Sequence, residues 1–340
     1  MSKATADSAE TKAAAEKGEL GPTMSGSEML IKCLEREGVD TIFAYPGGAS
    51  MEFHQALTRS KIRTILPRHE QGGVFMAEGY ARATGKAGVC MATSGPGATN
   101  LISGIADAYM DSIPLVAITG QVPQAMIGKG AFQETDFYGM TLPVVKHSYL
   151  VMDAKELPRI FKEAFHLARS GRPGPVVVAL PEDMLVDEVE VADAGPYKIA
   201  RGAPSPDDMA KLRALLEKAE RPMVIVGGGG WSAQACADIK AFAEQNGLPV
   251  CASFRNQDLF DNRHPNYAGD LGVGVGPALG KRLKASDLII AVGPRLGEAT
   301  TGGYTLFDLP VPKQKLVHVH ASAEELGRVY QATLPINSGM

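Results

Sequence analysis

Five short, unbroken apolar runs, at 41–44, 64–66, 88–92, 115–119 and 176–180, alternate with amphipathic stretches through the first half of the chain, and this alternation constrains the fold more than any other feature. A run such as Leu115-Val116-Ala117-Ile118 has no polar residue at every second place. As a strand it has no face to give to water, so it belongs in a parallel sheet covered on both sides by crossover helices. The helices between are legible. Ser25-Gly26-Ser27-Glu28 reads as a capping box, Met29, Leu30, Cys33 and Leu34 follow at spacings of three and four, and Gly38 stops the helix. A second helix over 157–169 carries Phe161, Ala164, Phe165 and Ala168 on one face. The expected class is α/β, with functional loops at the carboxyl ends of the strands.

The rhythm breaks at 188–206, where Pro196, Gly202, Pro204 and Pro206 read as a linker. A second α/β unit follows: helix 208–218, strand 223–226, the turn Gly227-Gly228-Gly229-Gly230, helix 233–245, strands at 249–252, 288–292 and 316–319, and helix 323–330. The expected organisation is a disordered tail over 1–24, a first domain over 25–190, a linker over 191–206, a Rossmann-like middle domain over 207–330 and a truncated tail over 331–340. Both domains are expected to be open, layered parallel sheets.

Composition excludes some classes. A net charge of -4 gives no basic field for nucleic acid. No apolar run approaches the roughly 18 residues of a membrane span. Cys33, Cys90, Cys236 and Cys251 lie far apart inside apparent helices and strands, which reads as buried free thiols. The first 20 residues contain no apolar core of a signal peptide and no Arg, so the expected location is cytoplasmic.

Four motifs punctuate the first domain. Tyr45-Pro46-Gly47-Gly48-Ala49 follows the first strand, and paired glycines let backbone approach a ligand; a tight turn with Ser50 as helix N-cap is the plainer reading. Arg68-His69-Glu70-Gln71-Gly72 places one carboxylate at a strand-to-helix junction. Thr93-Ser94-Gly95-Pro96-Gly97-Ala98-Thr99-Asn100 joins strand to helix; alone it would suggest a phosphate cradle, but it lacks the Gly-Lys-Ser/Thr ending of a P-loop. Gly130-Ala131-Phe132-Gln133-Glu134 follows Gly120-Gln121-Val122-Pro123.

In this order the motifs resemble the pyrimidine-binding domain of thiamine-diphosphate enzymes, in particular the catalytic subunit of acetolactate synthases. The likeness is strong over 25–187 and general over 207–330. It implies a carboligase of branched-chain amino acid biosynthesis that decarboxylates pyruvate and transfers the hydroxyethyl group to a 2-keto acid. Glu70 would be the catalytic residue, hydrogen-bonded to the aminopyrimidine so that the cofactor's own amino group can take the C2 proton. Tyr45, Pro46, Gly47, Gly48, Ser94, Gly95, Pro96, Gly97 and Asn100 would line the cofactor. Phe132 and Gln133 would face the substrate. Lys129 and Gly130 stand where the family more often has Ser or Thr and then Asp.

The resemblance also implies what lies elsewhere. In such enzymes a Gly-Asp-Gly run and a later Asn hold the diphosphate and Mg²⁺ in a third domain. No Gly-Asp-Gly occurs here, so the chain reads as the first two-thirds of an enzyme, inactive alone, with no metal ligands of its own. The family assembles as homodimers or larger oligomers, in some cases with a regulatory subunit. FAD is a candidate cofactor through Gly228, Gly229, Gly230 and Arg295, although Gly293-Pro294-Arg295-Leu296-Gly297 keeps only Gly293 and Arg295 of the family's flavin run. His318 and His320 share a strand face, and Asp107 and Asp111 a helix face; both read as structural. Two rivals stay open: another thiamine-diphosphate decarboxylase or acyltransferase, and a non-catalytic dimerising or nucleotide-binding module.

Overall fold

A computed structural model describes residues 21–192 and 195–340. The expected disorder of residues 1–20 lies outside the described residues. The chain divides into two compact units, Met1–Ile199 and Ala200–Met340.

The first unit contains strands β1 (Met24–Ser25), β2 (Thr41–Ala44), β3 (Arg63–Ile65), β4 (Gly88–Ala92), β5 (Leu115–Gln121), β6 (His147–Leu150), β7 (Pro175–Pro181) and β8 (Glu188–Val189). Six of them form one sheet in the order β3-β2-β4-β5-β7-β6. Every pair in it is parallel. β1 and β8 pair antiparallel as a separate ribbon, Met24 opposite Val189, and the Gly21 N–H donates to Val191 O at 3.0 Å. Residues 21–25, the end of the expected tail and the residue after it, thus pair with the backbone of residues 188–191.

The apolar runs are buried on both faces. Val89 and Met91 of β4 join one core with Val116 and Ile118 of β5, while Cys90, Ala92, Leu115 and Ala117 join the other. The first core is covered by the helices Gly26–Arg36 and Leu157–Arg169. The Ser25–Glu28 capping box starts the former as expected, and the latter buries Leu157, Ile160, Phe161, Ala164, Phe165 and Ala168. Fully burying a side chain such as Phe161 contributes about 1.5–3 kcal/mol. The second core is covered by the helices Glu70–Thr84 and Ile102–Asp111 through Val74, Ala77, Ala81, Ile105 and Ala108.

The second unit contains β9 (Pro222–Val226), β10 (Val250–Ser253), β11 (Tyr267–Leu271), β12 (Leu288–Val292), β13 (Lys315–His320) and β14 (Leu334–Asn337). They pair in the order β11-β10-β9-β12-β13-β14, all parallel. Counted within the unit this is 3-2-1-4-5-6, the doubly wound Rossmann order. Two expectations are corrected here. The helix expected over 323–330 is a single 3-10 turn, Ala323–Glu325, and Gly327 at φ 84° ends any continuation. The stretch expected as a tail contains β14, an edge strand that buries Leu334 and Ile336 and turns Pro335 and Asn337 outward. A proline is tolerated there because an edge strand has one unpaired side.

Candidate active site

In the first unit β2 lies between β3 and β4, so the chain crosses from β2 to β3 on one side and then back past β2 to β4 on the other. The carboxyl ends of β2 and β4 thus flank a topological switch point, where open α/β sheets bind their ligands. The loop after β2 is Tyr45–Gly48, and the loop after β4 runs from Thr93 to Asn100.

Glu70 is brought to this place by its helix. His69 is extended and caps Glu70–Thr84, its Nδ1 accepting from the Gln71 N–H at 3.2 Å, so that Glu70 is the first helical residue. The Glu70 side chain is half-buried. Its Oε2 accepts from Asn100 Nδ2 at 3.1 Å. Its Oε1 faces the backbone of Gly97: a Cβ there would stand 3.4 Å from Oε1 and 2.7 Å from Thr93 Cγ2. Gly47 meets the same threonine from the other loop, since a Cβ on it would lie 2.5 Å from Thr93 Cβ. Thr93 is therefore a wedge that two glycines accommodate. It is buried, and its Oγ1 has no hydrogen-bond partner among the described residues. In the sequence Thr93 opens the motif over 93–100, which assigns it no role of its own.

The remaining residues of the first-domain motifs converge. The Tyr45 N–H donates to Met91 O at 3.0 Å, which ties the β2 loop to β4. Ser50 takes the N-cap position of the following helix as expected but makes no side-chain cap bond; its Oγ accepts from the Gly47 N–H at 3.1 Å and closes the short turn Gly48–Ser50. Pro46 and Gly48 are exposed, and nothing lies within 4 Å of a Cβ built on Gly48. Ser94 is buried, while exposed Pro96 opens the short helix Pro96–Thr99. Gly95 at φ 58° abuts Gln133, which itself takes φ 62°. Phe132 beside it is 89% exposed.

The loop that carries Phe132 and Gln133 is closed by Glu134. Its carboxylate accepts from the Gly128 N–H and, at 2.9 Å, from the Ala131 N–H, and these donors hold its pKa below the ordinary carboxylate value. Gly128 and Gly130 both lie at positive φ in this loop, at 81° and 68°. That accounts for glycine at 130, where a side chain would be strained. Gln121, at the end of β5, donates from Nε2 to Thr135 O at 2.9 Å and anchors the loop's far end.

Glu78, Asp107 and Asp111 bring carboxylate oxygens within 4.8 Å of one another. Arg82 already occupies this cluster, donating to Glu78 at 3.1 Å and to Asp111. Glu78 is 4% exposed, and burial, followed by the charge of Asp107, pushes its pKa up to about 7. The cluster joins the two helices of the second core and lies eight residues past Glu70 along its helix.

In the second unit the switch point lies between β9 and β12. There the glycines serve the chain itself. A Cβ on Gly228 would lie 2.1 Å from Gly293 O, and one on Gly293 would lie 2.2 Å from Gly227 O. Trp231 Nε1 donates to Gly227 O at 2.7 Å, and Arg295 Nε pairs with Glu325 at 3.2 Å. His318 Nε2 donates to Pro294 O at 2.8 Å, and His320 Nδ1 accepts from the Ser322 N–H at 3.0 Å, so both imidazoles have structural partners.

Comparison with known proteins reads the same way. The family described as "Thiamine pyrophosphate enzyme, N-terminal TPP binding domain" matches residues 24–140, and "Thiamine pyrophosphate enzyme, central domain" matches residues 209–340. The chain belongs to the thiamine pyrophosphate enzyme family. It is 45% identical over 318 residues to acetolactate synthase 1, chloroplastic, of Nicotiana tabacum, covering 92% of this chain and 47% of that protein. It is 46% identical over 310 residues to the chloroplastic acetolactate synthase of Arabidopsis thaliana, covering 89% and 46%. To the probable acetolactate synthase large subunit of Methanocaldococcus jannaschii it is 40% identical over 321 residues, covering 92% and 54%. The chain spans about half the length of the curated relatives it matches. Among the described residues no helix is long and apolar enough to cross a membrane.

Proposed function

We infer that this member of the thiamine pyrophosphate enzyme family is the pyrimidine-binding and middle part of an acetolactate-synthase-type carboligase, cytoplasmic in location. The substrates would be pyruvate and a second 2-keto acid. The observation that carries the reading is the Asn100–Glu70 hydrogen bond at the switch point, with the Gly47, Gly97 and Gln133 loops packed around it. Thiamine diphosphate, when bound, supplies the carbanion chemistry. The residues present fit its pyrimidine end. Glu70 offers Oε1 as an acceptor or proton-sharing group toward a ring nitrogen, and in the loop after β2 nothing lies within 4 Å of a Cβ built on Gly48. Gln133, a neutral amide, would orient a polar keto acid without taking its proton, and Phe132 would wall it on one side.

The diphosphate and Mg²⁺ would be held in the part of the relatives that this chain does not span. The carboxylates of Glu78, Asp107 and Asp111 do not fit that task, since Arg82 is already among them. Two of the four residues assigned to flavin are otherwise engaged: Gly228 packs its backbone against the Gly293 loop and Arg295 pairs with Glu325. Self-association as a homodimer or larger oligomer is part of the reading, supported by exposed Leu66, Phe75, Met76 and Phe132 around the motifs. A regulatory subunit would join the complete enzyme.

The test is a fusion of this chain to the diphosphate-binding part of a relative. The fusion should form acetolactate from pyruvate, and Glu70→Gln should abolish most of that turnover while leaving the melting temperature unchanged. Undiminished turnover in the Glu70→Gln fusion would sink the assignment.

A further inference from the structure

We propose that Asn100 is a positioning residue for Glu70: it holds one carboxylate oxygen so that the other is presented to the ligand, and it does not itself bind the ligand. This rests on the reading of Glu70 given above and changes the role expected for Asn100 from its sequence motif. Asn100 Nδ2 is committed to Glu70 Oε2 at 3.1 Å. No hydrogen bond reaches Oε1 among the described residues, and Oε1 is the oxygen that faces the bare α-carbon of Gly97. The two oxygens are thus distinguished by their surroundings, one clamped and one uncovered.

The clamp is rigid at both ends. Asn100 ends the turn Pro96–Thr99, and its own N–H donates to Pro96 O at 3.1 Å while the Thr99 N–H donates to Gly95 O at 3.0 Å. Glu70 is the first residue of a fifteen-residue helix whose cap, His69, is itself hydrogen-bonded. A carboxylate in such a frame loses its remaining rotational freedom to one further bond.

The residue type matters. The uncharged Asn100 carboxamide donates one of its two N–H groups to Oε2, so it orients the carboxylate without competing for its proton. An Arg or Lys in the same place would form an ion pair, as Arg82 does with Glu78 further along the helix. Gly97 completes the arrangement, because any side chain there would press on Thr93 and approach Oε1. The frame therefore contains a donor, a carboxylate and a gap, in that order.

A double-mutant cycle tests this on the chain as it stands, with the free aminopyrimidine half of thiamine as probe and NMR titration as readout. Wild type should bind the probe, and Glu70→Ala should weaken it roughly tenfold, the loss expected for a hydrogen bond to a charged group. Asn100→Ala should weaken it roughly three- to tenfold. In the double mutant the affinity should equal that of Glu70→Ala, because Asn100 has nothing left to orient. Effects that multiply would overturn the positioning role and assign Asn100 to the ligand or to the fold at large. An unchanged Glu70→Ala affinity, or no binding by wild type, would overturn the reading of Glu70 itself and this inference with it.

Discussion

Gly95 and Gln133 touch backbone to backbone: a Cβ on Gly95 would stand 2.6 Å from the Gln133 carbonyl oxygen. Gly95 is also at φ 58°, so glycine is required twice over, by conformation and by space. Gly95→Ala should destabilise the first unit by about 1–3 kcal/mol, as overpacking does. Because the contact is to a loop, that loop should swing away and become sensitive to protease between residues 128 and 134. Urea unfolding and limited proteolysis check the two parts; wild-type stability with a protected loop would contradict the contact.

Glu134→Ala should release the same loop without unfolding the protein. The carboxylate serves the Gly128 and Ala131 N–H groups, and both should exchange with solvent faster in the variant. Hydrogen exchange by mass spectrometry reads this directly. Unaltered exchange would show that the paired backbone conformation of Gly128 and Gly130 closes the loop unaided.

Glu78 makes stability depend on pH. Folding raises its pKa from 4.5 to about 7, so the folded state favours the protonated form. Its contribution is fully present below 4.5 and is lost as the pH rises through about 7. Burial drives the shift, the charge of Asp107 adds to it and Arg82 opposes it. Melting temperature measured across this window should fall with rising pH in the wild type, and Glu78→Gln should flatten that part of the curve. Parallel curves for the two proteins would remove Glu78 as the cause.

The purified chain should lack flavin absorbance and gain none on incubation with FAD. The Gly228–Gly293 contact and the Arg295–Glu325 pair already engage Gly228 and Arg295 of the residues named by the motif. A stoichiometric flavin spectrum would mean that other residues of the second unit make the site.

What the sequence determined by itself was the layered α/β class, the capping box at Ser25, the two-faced burial of β4, β5 and β7, and the four motifs on which the site is built. These follow from local chemistry: a continuous apolar run has no solvent face, and serine followed by glutamate three residues on satisfies helix-start donors. The edge strands β6, β11 and β14 escaped it because they are only half covered, whereas the edge strand β3 was expected from its apolar run. His147-Ser148-Tyr149-Leu150 and Tyr267-Ala268-Gly269-Asp270-Leu271 mix polar with apolar residues and carry no strong period. Tertiary structure alone decided which residues meet. Thr93 against Gly47, and Asn100 on Glu70, are contacts between loops brought together by strand order. The glycines of the second unit show the same limit, since a motif that reads as a ligand cradle is used there by one loop to approach another. Local patterns state what each segment tends to form, whereas pairing across the switch point depends on which strands become neighbours, a long-range choice that no local window contains.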